Sequence, residues 1–287
     1  MVLNEWILNN EAIIRLGSFA GIFILMASLE FALPRRKLLL SRWQRWTNNV
    51  SLVVLNTVLL RLVFPTAAVG FTLFVTEQQW GLFNYYSLPY IVVVVLSIVL
   101  LDLAIYLQHV MFHAVPLLWR LHRVHHADLD YDVTTGARFH PIEILLSMLI
   151  KFGVIGILGP PVLAVVLFEV ILNGMAMFNH SNVRLPGRLD AVLRLFVVTP
   201  DMHRVHHSVE DFEANSNFGF NLSFWDRIFA TYTAQPEAGH EGMTIGINHY
   251  REPGQVDSLW GMLMLPFVGR TGDYVINRRS WRRKDPD

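Results

Sequence analysis

Residues 142–178 read IEILLSMLIKFGVIGILGPPVLAVVLFEVILNGMAMF. A membrane helix needs roughly 20 mostly apolar residues, and this run is too long for one. It breaks at LGPP, Leu158–Pro161, where two prolines end a helix. The stretch therefore predicts a tight hairpin of two short helices, one that crosses the bilayer and returns or dips in without fully crossing. Either way the chain leaves on the side it entered. The flanks make this decisive: the pentapeptide HRVHH stands at His122–His126 and again at His203–His207. A single span between them would place the copies on opposite faces of a membrane, whereas a hairpin places them on one.

The chain of 287 residues is 53% hydrophobic and 16% charged, against about 25% charged in ordinary soluble domains. That deficit predicts a membrane protein. A net charge of zero gives no reason to expect nucleic acid. The absence of cysteine excludes disulfides, thiolate-held iron–sulfur clusters and Cys-ligated zinc. The start, MVLNEWILNNE, lacks the basic region and small-residue cleavage site of a signal peptide, so none is expected.

Three further apolar stretches precede the hairpin, at about Ala12–Leu33, Val50–Val75 (interrupted by Arg61) and Tyr90–His113. The expected fold is an all-α integral membrane protein. It has about four transmembrane spans, or three spans plus a Pro-broken helical hairpin, with a cytosolic histidine-rich helical cap. It is expected to be one unit over 1–287, with N-terminal spans in 1–89, a histidine-bearing core in 90–232 and a cytosolic or interfacial segment in 233–287. Within the last, SLWGMLMLPF (258–267) is too short to span and reads as an interfacial segment or a cap. Arg35, Arg36, Lys37, Arg42 and Arg45 follow the first span, while the loop TEQQWGLFNYYSLP has no Lys or Arg. The positive-inside rule then places the N-terminus outside, and both HRVHH copies and the C-terminus in the cytoplasm. Intramembrane charges are costly and usually paired. Arg61 with Asp102, and Lys151 with Glu169 across the hairpin, are the pairs that depth allows, snorkelling being the alternative for each.

Ten of the 12 histidines lie at 109, 113, 122, 125, 126, 140, 180, 203, 206 and 207. Residues three and four apart share a helix face, so each HxxHH presents three imidazoles toward one point. His122, His125 and His126, then His203, His206 and His207, with the HxxxH of His109 and His113, give eight imidazoles, enough for two metal ions. Imidazole suits iron, zinc, copper and nickel. His180 flanks the hairpin and is expected to join them. His140 flanks its other end, as a further ligand or as a partner of Glu143 or the backbone. Asp102, Asp201 and Asp226 are candidates for metal binding or for holding the second N–H of a ligating imidazole, and Asp128 is a candidate for the second role alone. Asp201 also fits as a carboxylate at a helix N-terminus. Arg120, Arg123 and Arg138 read as positive-inside anchors or as attractors of anionic headgroups or an acidic electron donor. The alternating stretch NFGFNLSFWDRIF (217–229) reads as an amphipathic cover over the histidines or a structural cap.

The order HVMFH (109–113), HRVHH (122–126), RFHPIE (138–143), NHSN (179–182), HRVHH (203–207) and NFGFNLSFWDRIFATY (217–232) resembles the fatty acid hydroxylase/sterol desaturase superfamily. Within it the chain is similar to the bacterial branch and the alkylglycerol monooxygenases. The resemblance covers about residues 90–232. It implies a di-iron centre of two Fe ions, for which zinc can substitute on purification. It also implies use of O2 and external electrons to hydroxylate or desaturate a fatty acyl, sterol or alkylglycerol-type lipid taken from the bilayer. No catalytic residue is implied beyond the metal centre, whose ligands would be the nine histidines other than His140, His240 and His249. No electron-transfer module is visible, so a separate ferredoxin- or cytochrome b5-like donor is expected, in a bacterial inner membrane. A histidine-rich zinc transporter or storage protein is the competing reading. It needs ligands spread along a transmembrane path, and here they gather toward one face.

Overall fold

The computed structural model describes residues 2–269, 271 and 274–276, so part of the expected segment 233–287 lies outside the described residues. Its helices begin α1 (Val2–Ala32), α2 (Arg42–Val63), α3 (Ala67–Glu77), α4 (Leu82–Tyr85) and α5 (Tyr90–Ala114). They continue α6 (Pro116–His126), α7 (Pro141–Leu158), α8 (Val162–Asn179), α9 (Gly187–Leu193) and α10 (Pro200–His206), with shorter turns beyond. Among the described residues there is no strand, only isolated bridges. Five helical segments are long and apolar enough to cross a membrane: Glu5–Ala32, Arg42–Tyr85, Tyr90–Ala114, Pro141–Leu158 and Val162–Asn179. This is an all-α, multi-pass membrane architecture.

The hairpin forms as α7 and α8. Gly159 closes α7 in the left-handed region (φ 64°), its N–H donating to Ile155 O, as a residue without Cβ does at little cost. Each arm has 18 residues, about 27 Å of helix. The turn is packed backbone to backbone on the loop before α4: a Cβ on Gly81 would lie 2.3 Å from Gly159 N. Across the hairpin Lys151 Nζ meets Glu169 Oε1 at 2.8 Å, and Arg15 of α1 reaches the other oxygen at 3.0 Å.

Two expectations about the spans change. The stretch Val50–Val75 is not one helix. Pro65 disfavours helical geometry at Phe64, and α3 starts anew at Ala67 and packs on α7 and α8. Nor do Arg61 and Asp102 pair. Arg61 is exposed on α2, and Asp102 accepts from Trp225 Nε1 (2.9 Å) and Leu222 N (3.2 Å). Matching depth brings charges together only on helices that face one another, and α5 turns this residue toward the 222–225 segment.

The α1–α2 loop, both HRVHH copies and the C-terminal segment gather at one end. Arg35 reaches Asp201 (3.2 Å), Arg36 donates to the carbonyls of His240 (2.9 Å) and Met243 (2.7 Å), and the Leu39 and Leu40 amides donate to Asp130. Beneath them a charged core is buried. Arg45 chelates Asp128 through two bonds (3.1 and 2.8 Å) and also bonds Asp132. Burial raises the Asp128 carboxyl, but the Arg45 and Arg138 guanidiniums overcome this and hold it at about 2. Arg120, Arg123 and Arg138 also bond the chain itself. Arg123 donates to the carbonyls of Leu265 and Val268, Arg138 to Val124 and Val256, and Arg120 to Pro266 and Gly269. They tie down the stretch 258–267, which is a cap: Met262 and Leu265 are buried with Trp119, Val124 and Leu52. A buried guanidinium without partners costs several kcal/mol, so carbonyls at a chain turn are its natural match.

Candidate metal centre

Proline starts two helices that carry histidines and a third that a histidine caps. Pro116 opens α6, Pro141 opens α7 and Pro200 opens α10, each at a position where the missing N–H would have had no helical partner. Thr199 Oγ1 caps α10 by accepting from Met202 N. His140 caps α7 through Ile142 N (3.2 Å) and turns its other nitrogen toward Leu263 O (3.3 Å). It is a backbone-bonding residue outside both histidine groups.

The other nine gather into two buried groups. His109, His113, His122, His126 and His206 form one, and His125, His180, His203 and His207 form the other. Within each, one nitrogen per ring lies within 4.8 Å of the rest. The pentapeptides are not three-pronged units aimed at one point. In each copy the first and last histidine enter one group and the middle one enters the other. Successive helical residues turn by about 100°, so i and i+4 lie about 40° apart, while i+3 lies about 100° from i+4. The two copies do this in opposite senses and lock the groups together. His126 and His207 stack across the boundary with ring centres 4.6 Å apart.

Partners on the second ring nitrogen fix the imidazoles. The Nδ1 atoms of His109, His206 and His180 face the carbonyls of Phe218 (2.9 Å), Ser216 (2.7 Å) and Ala176 (2.8 Å). A carbonyl only accepts, so these Nδ1 atoms carry the proton and their Nε2 atoms are bare. His113 Nδ1 lies 3.1 Å from Asn215 Oδ1, and His122 Nδ1 lies 2.7 Å from Glu143 Oε1. These bare nitrogens point at other imidazoles. His109 and His206 Nε2 are 2.9 Å apart, and His180 Nε2 is 3.1 Å from those of both His125 and His203. His122 Nε2 and both nitrogens of His207 are buried without a partner. Protonation does not relieve this. Burial holds His122 and His180 at about 3, and burial with neighbouring imidazoles pushes His125, His126, His203, His206 and His207 well down. The set is neutral at pH 7, and the bare Nε2 atoms of His109 and His206 face each other lone pair to lone pair. Donors about 2.1 Å from one ion stand roughly 3 Å apart at a right angle. The groups therefore fit metal ions, as an all-nitrogen donor set should.

The candidate carboxylates serve the scaffold. Asp201 bonds Arg204 and Arg35 in the first turn of α10. Asp226 accepts from Gly219 N (2.8 Å) and Thr231 Oγ1 (2.7 Å), and Asp102 holds Trp225 and Leu222. None of the three touches a clustered imidazole. Asp226 and Asp102 instead brace 217–229, whose Phe218 ring packs 5.1–5.5 Å from His109, His113 and His206. That stretch is the cover over the histidines. The carboxylate that does reach one is Glu143, whose position one turn into α7 beside a capping histidine gave no sign of it. The backbone acceptors of residues 176, 216 and 218 were equally hidden, since carbonyls carry no sequence signature.

His109, His122 and His125 open on a cavity of about 280 Å³ between α1, α2, α5, α7 and α8. Its remote wall is apolar, with Phe19, Leu60, Ile105 and Leu172. Fold and site together define a multi-pass membrane protein with two adjacent histidine groups fit to hold metal beside a largely apolar chamber. Residues 94–231 match the fatty acid hydroxylase family. The chain is similar to the ornithine lipid hydroxylase OlsE of Rhizobium tropici, 31% identical over 144 residues, 50% of this chain and 42% of that one. It is also similar to alkylglycerol monooxygenases of Xenopus tropicalis (32% over 157 residues; 54% of this chain, 33% of the relative) and Homo sapiens (30% over 164 residues; 55% and 36%). Each alignment spans less than half of the relative's length. No solved structure matches the chain.

Proposed function

We propose that the protein is a di-iron oxygenase that hydroxylates, or desaturates, a lipid drawn from the bilayer, with the nine clustered histidines as ligands. The observation that carries this reading is the pair of neutral, buried imidazole groups opening on an apolar chamber. Iron held there would supply the redox chemistry that an unactivated C–H bond requires and zinc lacks. In hydroxylation one dioxygen, two electrons and two protons convert C–H to C–OH and release water. The chain's own residues make the site competent. The carbonyls of 176, 216 and 218 with Asn215 fix tautomers and aim nitrogens, and Glu143 holds the ring of His122. Phe139, stacked 4.4 Å from His125, walls the chamber. The apolar lining excludes water and orients the chain. Electrons come from a separate ferredoxin- or cytochrome b5-like carrier at the cytoplasmic face of a bacterial inner membrane. The clustered histidines gather in two adjacent groups rather than along a path through the helices, which favours oxygenation over zinc transport.

The test compares lipid extracts of cells with and without the gene. A species heavier by one oxygen or lighter by two hydrogens should appear, and should disappear with His206→Ala while the protein remains in the membrane. Unchanged lipids with iron-loaded protein present would refute the reading.

A further inference from the structure

The chamber beside the histidines is not uniformly apolar. Asn56, Gln108, Ser147 and Asn173 line it from four different helices, where unmatched polar groups are costly. Three have partners. Gln108 Nε2 donates to Ser147 Oγ at 3.0 Å, and Asn173 Nδ2 donates to the Glu169 carbonyl at 2.8 Å. Asn56 is half satisfied. Its Nδ2 donates to the Phe139 carbonyl at 2.8 Å, which fixes the amide's orientation because a carbonyl only accepts. Its Oδ1 is left buried without a partner, on a side chain that is 6% exposed. The same wall carries the bare Oε2 of Glu143. Both are acceptors.

Asn56 also has a defined place. The Phe139 whose carbonyl it binds lays its ring on His125, with ring centres 4.4 Å apart and planes within 12°. Leu60 lies one turn farther along α2, and with Phe19 and Leu172 it forms the apolar wall. The acceptor is thus at the histidine end of the chamber and the hydrocarbon surface at the other.

We propose that Asn56 Oδ1 accepts a hydrogen bond from a hydroxyl or amide N–H of the lipid. The substrate then carries a donor group close to the carbon that is oxidised, with its apolar chain directed toward Phe19, Leu60 and Leu172. A lipid without a donor leaves this buried Oδ1 unpaired, forgoes the hydrogen bond and binds more weakly. The inference rests on the lipid-oxygenase reading. Its test uses the metal-loaded full chain in nanodiscs and three probes of one chain length: 1-O-hexadecylglycerol, N-hexadecylacetamide and hexadecyl methyl ether. The wild type should bind whichever donor probe fits about tenfold more tightly than the ether. Which of the two wins identifies the donor as hydroxyl or amide. Asn56→Leu should abolish that preference and keep the ether's affinity, and Asn56→Ser, which retains an acceptor, should keep part of it. Equal wild-type affinity for all three probes, or a preference that survives in Asn56→Leu, overturns the proposal. Oxygen consumption with a chemical reductant is read in parallel. Oxidation without binding preference defeats this inference alone. Preference without oxidation of any probe supports the role of Asn56 and defeats the oxygenase reading.

Discussion

Asp226 lies buried within the cover over the histidines, and burial raises its carboxyl to about 6 despite bonds from Thr231 and the Gly219 amide. The folded value stands above the ordinary carboxylate value of about 3.9. The protonated form is therefore favoured by folding, its contribution complete below about pH 4 and lost as pH rises through about 6. Asp226→Asn keeps an acceptor for Gly219 and a donor for the Thr231 hydroxyl without the charge. Relative to that variant, the wild type should lose about 2–3 kcal/mol between pH 4 and 7, read as a change in the difference of unfolding midpoints in detergent. A difference constant across that interval would contradict the assignment. At this scale the sequence was only partly legible. Histidine is distinctive enough for nine positions to be picked out, and they are the nine that converge. Arg45, Arg123 and Arg138 looked like ordinary positive-inside cations. Their burial depends on carbonyls and carboxylates brought from distant parts of the chain, which spacing does not reveal.

Among the elements, the α7–α8 hairpin decides where the two pentapeptides meet. The prolines at 160 and 161 and the left-handed Gly159 announce it in the sequence, and its arms sit where the apolar run places them. Pro65 carried the same kind of signal, though a continuous apolar run masked it and α2 and α3 read as one span. The pentapeptide's division between groups was legible in principle, from about 100° per residue, but required knowing that two facing copies interlock. The hairpin has a topological consequence. Reporters fused after Asp128 and after Glu210 should both read cytoplasmic. Opposite readings would separate the two copies and remove the shared site.

For the whole molecule, one end gathers the α1–α2 loop, both pentapeptides, the cover and the C-terminal cap, while the hydrophobic core of α1, α3, α5, α7 and α8 occupies the rest. The class of architecture follows from composition and span length. The chamber does not, because a cavity is the space left by five helices whose relative placement no local pattern records. Its conjunction with two imidazole groups is the centre of the account. The most direct measurement is the metal content of protein made in iron-replete cells, counted against protein concentration. The account predicts about two iron ions per chain, with loss of metal in His125→Ala and His206→Ala, each of which removes a donor from a different group. One ion per chain, or a metal content that neither substitution changes, would contradict it.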